Sequence, residues 1–380
     1  MSTRTGQWFT GRIPSWPARD PYLLLLTFIL PLGGVVLVAS ARVPVVLAGD
    51  SVFERVSVQQ MVLAGIGVVL ALALSAVNYR RYARIAPFGL AGVLIALVGV
   101  LFVEDATSLF AARRWFRVGG LTVQPSEFAK VAMVVTLAAL AQHYGGRIRE
   151  MRVSILVMGG VVAIVVLPIV LEPDLGAAIT IAFVGFAMIF AAGARLWHLL
   201  VGVAAIAPVA LVSISQNAYQ RERLFTFLSG DPDVTRTGYQ AAQAQIAMGS
   251  GGITGRGLGL GTQKFRLPIP DSDAVFAVLG EEFGFVGTGL VLVLFLALFV
   301  RGIQIAAATD DVFGRLLAIG IVTQLGFQAF VNMAVVTGLT PVTGITLPFI
   351  SRGGSSLLAS LIMMGVLMNV ARQSDLGQSK

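Results

Sequence analysis

The sequence predicts an all-α polytopic membrane protein of about ten transmembrane helices, with one large extramembrane loop. Three observations carry that expectation. Of 380 residues, 56% are hydrophobic and 12% charged, with mean hydropathy +0.86, whereas soluble domains carry about 25% charged residues. Apolar runs of about 20 residues, enough to cross a hydrocarbon core of roughly 30 Å, recur along the whole chain. Basic residues also fall unevenly on alternate loops, as the positive-inside rule requires.

The elements follow in order. Residues 1–21 carry Arg4, Arg12 and Arg19. The apolar segment behind them lacks a small-residue cleavage site and reads as a retained first span near 22–40. Further spans are expected near 58–78, 85–103, 125–142, 152–171, 175–194, 196–216, 274–301, 313–338 and 346–370. Ten spans put both termini on one side. The loops of that side hold Arg80, Arg81, Arg84, Arg147, Arg149, Arg152, Arg195, Arg301 and Arg315, and the short opposite loops hold Arg42, Arg55, Arg113, Arg114 and Arg117. The termini, including the tail 371–380, are therefore expected in the cytoplasm and the long loop 217–273 outside. The chain reads as a single integral membrane domain.

Composition narrows the chemistry. With no cysteine and only His143 and His198, thiol catalysis, disulfides and a histidine-rich metal centre are excluded. The formal charge of +8 reflects topology and anionic lipid head groups rather than nucleic acid. Carboxylates and cations are left to do the work.

Those groups gather at the outer ends of spans. The stretch "LPIPDSDAVFAVLGEEFG", Leu267–Gly284, sets Asp271, Asp273, Glu281 and Glu282 around the start of an apolar run. Ionisable groups at membrane depth cost at least about 2.5–3.5 kcal/mol and usually face a cavity or a partner. Asp273 sits where loop becomes helix, with Ser272 or Asp271 available to cap it. Glu281, eight residues on, falls near the same helical face. Two readings stand for these acids: a catalytic carboxylate, or caps and buried ion pairs.

Pro125 and Ser126 start a helix whose Glu127 and Lys130 have pairing spacing. Lys130, Arg113 and Arg114 could bind a diphosphate, the arginines by forked contacts, or form an interfacial belt. "LEPDLG", Leu171–Gly176, places Glu172 and Asp174 in a tight link. "GSGGITGRGLGLG", Gly249–Gly261, including Gly251 and Gly252, could bring backbone N–H groups close to an anion or be a flexible loop. It lacks the Lys-Ser/Thr ending of a P-loop, so no nucleotide is expected.

In combination and in order, "ARRW", "QPSEFAK", "EPDLG", "GSGGITGRGLGLGTQ", "SDAVFAVLGEEFGFVG" and "VVTGLTPVTGITLPFISRGGSS" resemble the SEDS family of RodA/FtsW-type peptidoglycan glycosyltransferases. The resemblance implies a SEDS/RodA-like fold that polymerises lipid II on the outer face of the bacterial cytoplasmic membrane beside a class B penicillin-binding protein. The family's essential aspartate maps onto Asp273, its Glu and Lys onto Glu127 and Lys130, and its loop Asp onto Asp174. Three positions depart from the family pattern: Ala274 replaces an aromatic, Asp271 a His and Arg352 a Tyr. "GITLPFIS", with Thr346, resembles the division branch.

These readings combine into one mechanism. Asp273 would be the base for the attacking sugar hydroxyl, while Arg113, Arg114, Lys130 and Arg352 bind the departing diphosphate, with Glu127 beside Lys130. A divalent cation, Mg²⁺ or Mn²⁺, held by Asp174 or Asp273, is an optional addition. Asp174, Asp271, Ser272, Glu281, Glu282, Gly251 and Gly252 would support the site. A lipid II flippase or secondary transporter, and a scaffold for a transpeptidase, are the alternative functions.

Overall fold

A computed structural model describes residues 20–42, 52–103, 114–118, 121–229 and 238–374. Arg113 lies outside the described residues. The chain is helical: α1 (Pro21–Ala41), α2 (Val52–Ala76), α3 (Tyr82–Val100), α4 (Pro125–Tyr144), α5 (Gly160–Leu171), α6 (Leu175–Ala191), α7 (Leu196–Gln216), α8 (Ala218–Ser229), α9 (Tyr239–Gly251), α10 (Val275–Ala307), α11 (Val312–Val336) and α12 (Gly354–Gln373). A hairpin of β1 (Phe116–Val118) and β2 (Leu121–Val123), with Phe116 opposite Val123, precedes α4. Residues Arg152–Gly159, leading into α5, are wound as a π-helix.

Among the described residues eight helical segments are long and apolar enough to cross a membrane. The two other expected spans are the helices α4 and α6. α6 has 17 residues, and α4 carries Glu127 and Lys130 near its start and Gln142 and His143 near its end. Large apolar side chains such as Phe88, Ile95 and Phe102 are at least 73% exposed, which suits a surface solvated by lipid rather than water. This is an integral membrane protein.

Helix ends follow local chemistry. α1 starts at Pro21 in its first turn, capped by the Asp20 carboxylate, which accepts from the N–H groups of Tyr22 and Leu23. The Asp20 carboxylate also takes Arg301 Nε at 2.9 Å, tying α1 to the far part of α10. Small residues let the central helices approach, as membrane packing demands. A Cβ on Gly365 of α12 would lie 2.5 Å from the Ala71 carbonyl oxygen of α2. α12 is the most enclosed span, with 83% of its most apolar stretch buried, against 6% for α7 at the periphery.

Two boundaries and one loop differ from expectation. The tenth span begins at Gly354, not near 346, because Pro341, Pro348 and the left-handed Gly338 and Gly344 keep the preceding chain extended or turned. α10 runs to Ala307 and is broken at Gly284, whose φ of 62° and ψ of −157° interrupt the helical backbone. Among its described residues the segment 217–273 contains α8, α9 and a 3₁₀ turn at Gln263–Phe265, which form a cap with secondary structure of its own.

Candidate active site

α10 starts at Val275, so Asp273 stands in the turn before the helix and does not share a helical face with Glu281. Its first residue is preceded by Ala274 with no side-chain cap, and the expected capping by Asp271 or Ser272 is not formed. Both have other duties. Ser272 gives its carbonyl to Ser351 Oγ at 2.7 Å. Asp271 binds two arginines: its Oδ2 lies 2.6 Å from Arg42 Nε and 3.2 Å from Arg352 Nη1.

Asp273 is held from two sides. Gln240 Nε2 on α9 donates to Oδ2 at 2.9 Å, and Asn332 Nδ2 on α11 donates to the main-chain oxygen at 2.9 Å. The same Asn332 amide donates to Ile345 O at 2.7 Å, binding the loop ahead of α12. Oδ1 is buried without a hydrogen-bond partner. Asp273 lies just outside the α10 span. Burial pushes its carboxyl above the ordinary range; the Gln240 hydrogen bond and the Arg223 guanidinium of α8 partly offset this. The result is an oriented carboxylate with one oxygen left for something else.

The other two acids of that stretch are fully engaged. Glu281 Oε1 accepts from Thr262 N at 2.6 Å and Gln263 N at 3.0 Å. Glu282 Oε1 pairs with Lys264 Nζ at 2.8 Å and accepts from Ser40 Oγ at 2.7 Å, with both members of the ion pair fully buried. The glycine-rich loop lies on these residues: Arg256 N and Gly257 N donate to the carbonyls of Glu281 and Glu282. A Cβ on Gly251 would fall 1.9 Å from Gly280 O, and Gly252 adopts φ 58° and accepts from Phe285 N. The glycines thus permit close packing of loop on helix. The N–H groups of Gly255, Arg256, Gly257, Thr262 and Gln263 are already bonded within the protein, so these donors are not open to an anion.

The cations divide. Lys130 Nζ is buried, 2.7 Å from Glu127 and 2.9 Å from Gln328 Oε1, so the pair neutralises itself inside the bundle. Gln328 Nε2 reaches Thr346 O at 3.0 Å. Gln328 and Asn332, one turn apart on α11, therefore tie both the Lys130 pair and Asp273 to the same loop. Arg114 clamps the α5–α6 turn: Nε donates to Glu172 O at 3.1 Å, another nitrogen donates to Pro173 O, and Asp174 Oδ1 lies at 4.0 Å. Gln220 of α8 also reaches Pro173 O, at 2.9 Å. Arg352 keeps 42% of its side chain exposed while paired with Asp271.

Asp174 caps α6 through Ala177 N at 3.1 Å and accepts from Gln124 Nε2 at 3.3 Å. Glu172 is fully buried with neither carboxylate oxygen hydrogen-bonded. Its carboxyl is pushed up to about 8 by burial and by Asp174, against the pull of Arg114. Among the described residues no three His, Asp or Glu side chains meet as a metal site. A cation sharing diphosphate oxygens needs fewer protein ligands. For that role Asp273, with its unpartnered oxygen, fits better than Asp174.

Sequence reading missed Gln240, Arg223, Gln328, Asn332 and Lys264. Gln328 and Asn332 did carry a signal, since amides in the apolar stretch of a span need a buried partner. Gln240 and Arg223 carried none, because only folding of the long loop brings them to Asp273.

The family model for cell cycle proteins of the FtsW/RodA/SpoVE type matches residues 21–376. A relative from Trichlorobacter lovleyi, named "Probable peptidoglycan glycosyltransferase FtsW", is 39% identical over 355 residues, covering 93% of each chain. The crystal structure of Thermus thermophilus rod shape determining protein RodA superposes with a TM-score of 0.69 at 31% identity, covering 95% of this chain and 99% of that one. A chain from work described as "Structural coordination of polymerization and crosslinking by a peptidoglycan synthase complex" gives 0.76 at 34% identity, covering 94% and 98%. With its helical membrane bundle and the Asp273 turn packed beneath a structured cap, the chain belongs to the FtsW/RodA/SpoVE family, the SEDS proteins.

Proposed function

We propose that this membrane glycosyltransferase joins lipid II units into β-1,4-linked glycan strands, with Asp273 as the general base. The observation that supports this most is the carboxylate itself. Gln240 fixes one oxygen, the other is unpartnered, and burial raises its proton affinity toward that of a working base. The 4-hydroxyl of the acceptor GlcNAc gives its proton to Asp273 as its oxygen bonds to the anomeric carbon of the donor. The bond from that carbon to the lipid diphosphate breaks, and the electron pair leaves with the phosphate. Attack from the opposite face inverts the α-linkage to β. Diphosphate departs as a stabilised anion, so no acid partner is required, unlike in paired-carboxylate glycosidases.

Arg223, whose charge acts on the Asp273 carboxyl, and the half-exposed Arg352 are the cations that suit the departing charge, with Arg114 at the α5–α6 turn. Lys130 and Glu127 act from behind through Gln328 and the loop ahead of α12. A Mg²⁺ or Mn²⁺ ion, which Asp174 or Asp273 would hold, would add Lewis-acid stabilisation of the departing charge. The site faces outward with both termini cytoplasmic. A class B penicillin-binding protein crosslinks the product, for cell division or elongation, and the Thr346 motif resembles that of the division branch.

The test is to place the purified protein, with its transpeptidase partner, in liposomes containing lipid II. High-mass glycan product supports the reading. A well-folded complex that makes no glycan but moves lipid II across the bilayer contradicts it in favour of a transporter.

A further inference from the structure

Two of the three departures from the family pattern touch each other. Arg352 donates its main-chain N–H to Asp271 O at 2.8 Å and its guanidinium to Asp271 Oδ2 at 3.2 Å. Arg42, which ends α1, donates Nε to that same oxygen at 2.6 Å. Asp271 is 3% exposed and the Arg42 side chain 11%. In a setting this enclosed, charge-assisted hydrogen bonds are strong as well as short. One residue on, Ser351 Oγ holds Ser272 O. The three-residue turn ending in Asp273 is therefore fastened at every position: Asp271 to the end of α1 and the loop ahead of α12, Ser272 to that loop, and Asp273 to Asn332 of α11.

We propose that Asp271 is a positioning residue, and that its ion pairs with Arg42 and Arg352 set the place of the Asp273 carboxylate. The inference rests on Asp273 being the base. Asp271 touches no reacting atom. Its carboxylate keeps two guanidinium groups together and so draws the end of α1 and the α12 approach onto the Asp273 turn. Loss of the Asp271 charge leaves two like charges facing each other and frees the turn. A displacement of about 1 Å at a base costs up to roughly 100-fold in rate while leaving distant binding contacts in place.

The experiment measures lipid II polymerisation by the full chain with its partner for wild type, Asp271→Asn, Asp271→Glu, Arg352→Gln, Arg42→Gln and the Asp271→Asn/Arg352→Gln pair. Asp273→Asn is the reference. The expected result is a kcat about tenfold to 100-fold lower in Asp271→Asn with KM for lipid II within about twofold. Asp271→Glu recovers part of the loss, and the double variant is no worse than the poorer single, because one ion pair is removed twice. Unchanged kcat in both Asp271→Asn and Arg352→Gln overturns the proposal, as does a loss confined to KM. If Asp271→Asn fails to fold, Arg42→Gln, which removes an Asp271 ion pair at a residue with no part in diphosphate binding, decides by the same split. An inactive wild type refutes the glycosyltransferase reading instead. An active wild type and dead Asp273→Asn beside an unaffected Asp271→Asn refutes positioning alone.

Discussion

Asp273 differs from the other three carboxylates of its segment in what its oxygens touch. Asp271, Glu281 and Glu282 each meet a cation or paired backbone donors, whereas Asp273 Oδ1 has no hydrogen-bond partner and Oδ2 accepts from the Gln240 amide. Because its carboxyl is raised by burial, it takes up a proton at higher pH than an ordinary aspartate, whose value is about 3.9. A base works only when deprotonated, so the acid limb of the kcat profile should lie above that range. Gln240 stabilises the charged form, so Gln240→Leu should move the limb to still higher pH; a limb that stays put would show that Asp273 is not the titrating group. The motif pointed to Asp273, and the acidic cluster around it was legible. Which acid stood unpartnered was not legible, because that depends on Gln240, Arg42 and Lys264 arriving from elsewhere in the chain.

At the scale of elements, the cap over the site is built on α10. Its break at Gly284 lets the chain pass under the glycine-rich loop, and a Cβ there would lie 2.4 Å from Gly255 N in a left-handed backbone. Gly284→Ala should lower thermal stability and activity together, measured by unfolding in detergent alongside polymerisation. The buried Lys264–Glu282 pair pins the far end of that loop. Lys264→Met leaves Glu282 uncompensated, a loss of about 3–5 kcal/mol in comparable pairs. Lys264→Met/Glu282→Gln should recover most of it, and a double variant no better than the single would mean the pair is not what holds the loop. Span positions were legible from hydropathy, to within a few residues for α1, α6 and α11. The start of α12 was misplaced because Leu347, Phe349 and Ile350 carry the apolar pattern upstream of the helix. Their conformation is set instead by turn residues and by Gln328 and Asn332 reaching across from α11.

Across the whole molecule, α11 and α12 form the enclosed centre, and α3 and α7 face lipid. The site lies where α8, α9, the turn before α10 and the loop before α12 converge. α11 joins that site to the buried Lys130–Glu127 pair, so removing Lys130 should affect the Asp273 region through Gln328 and Thr346 rather than by direct loss of a phosphate contact. Lys130→Met should therefore reduce stability as well as rate, and a pure KM effect in a fully stable variant would argue for direct substrate binding. The central claim is that Asp273 removes the acceptor proton, and Asp273→Asn tests it most directly, since it keeps the side-chain shape and removes the base. Polymerisation of lipid II should fall at least about 100-fold with thermal stability and partner binding intact. Glycan formation within about twofold of wild type by the well-folded variant would contradict the account.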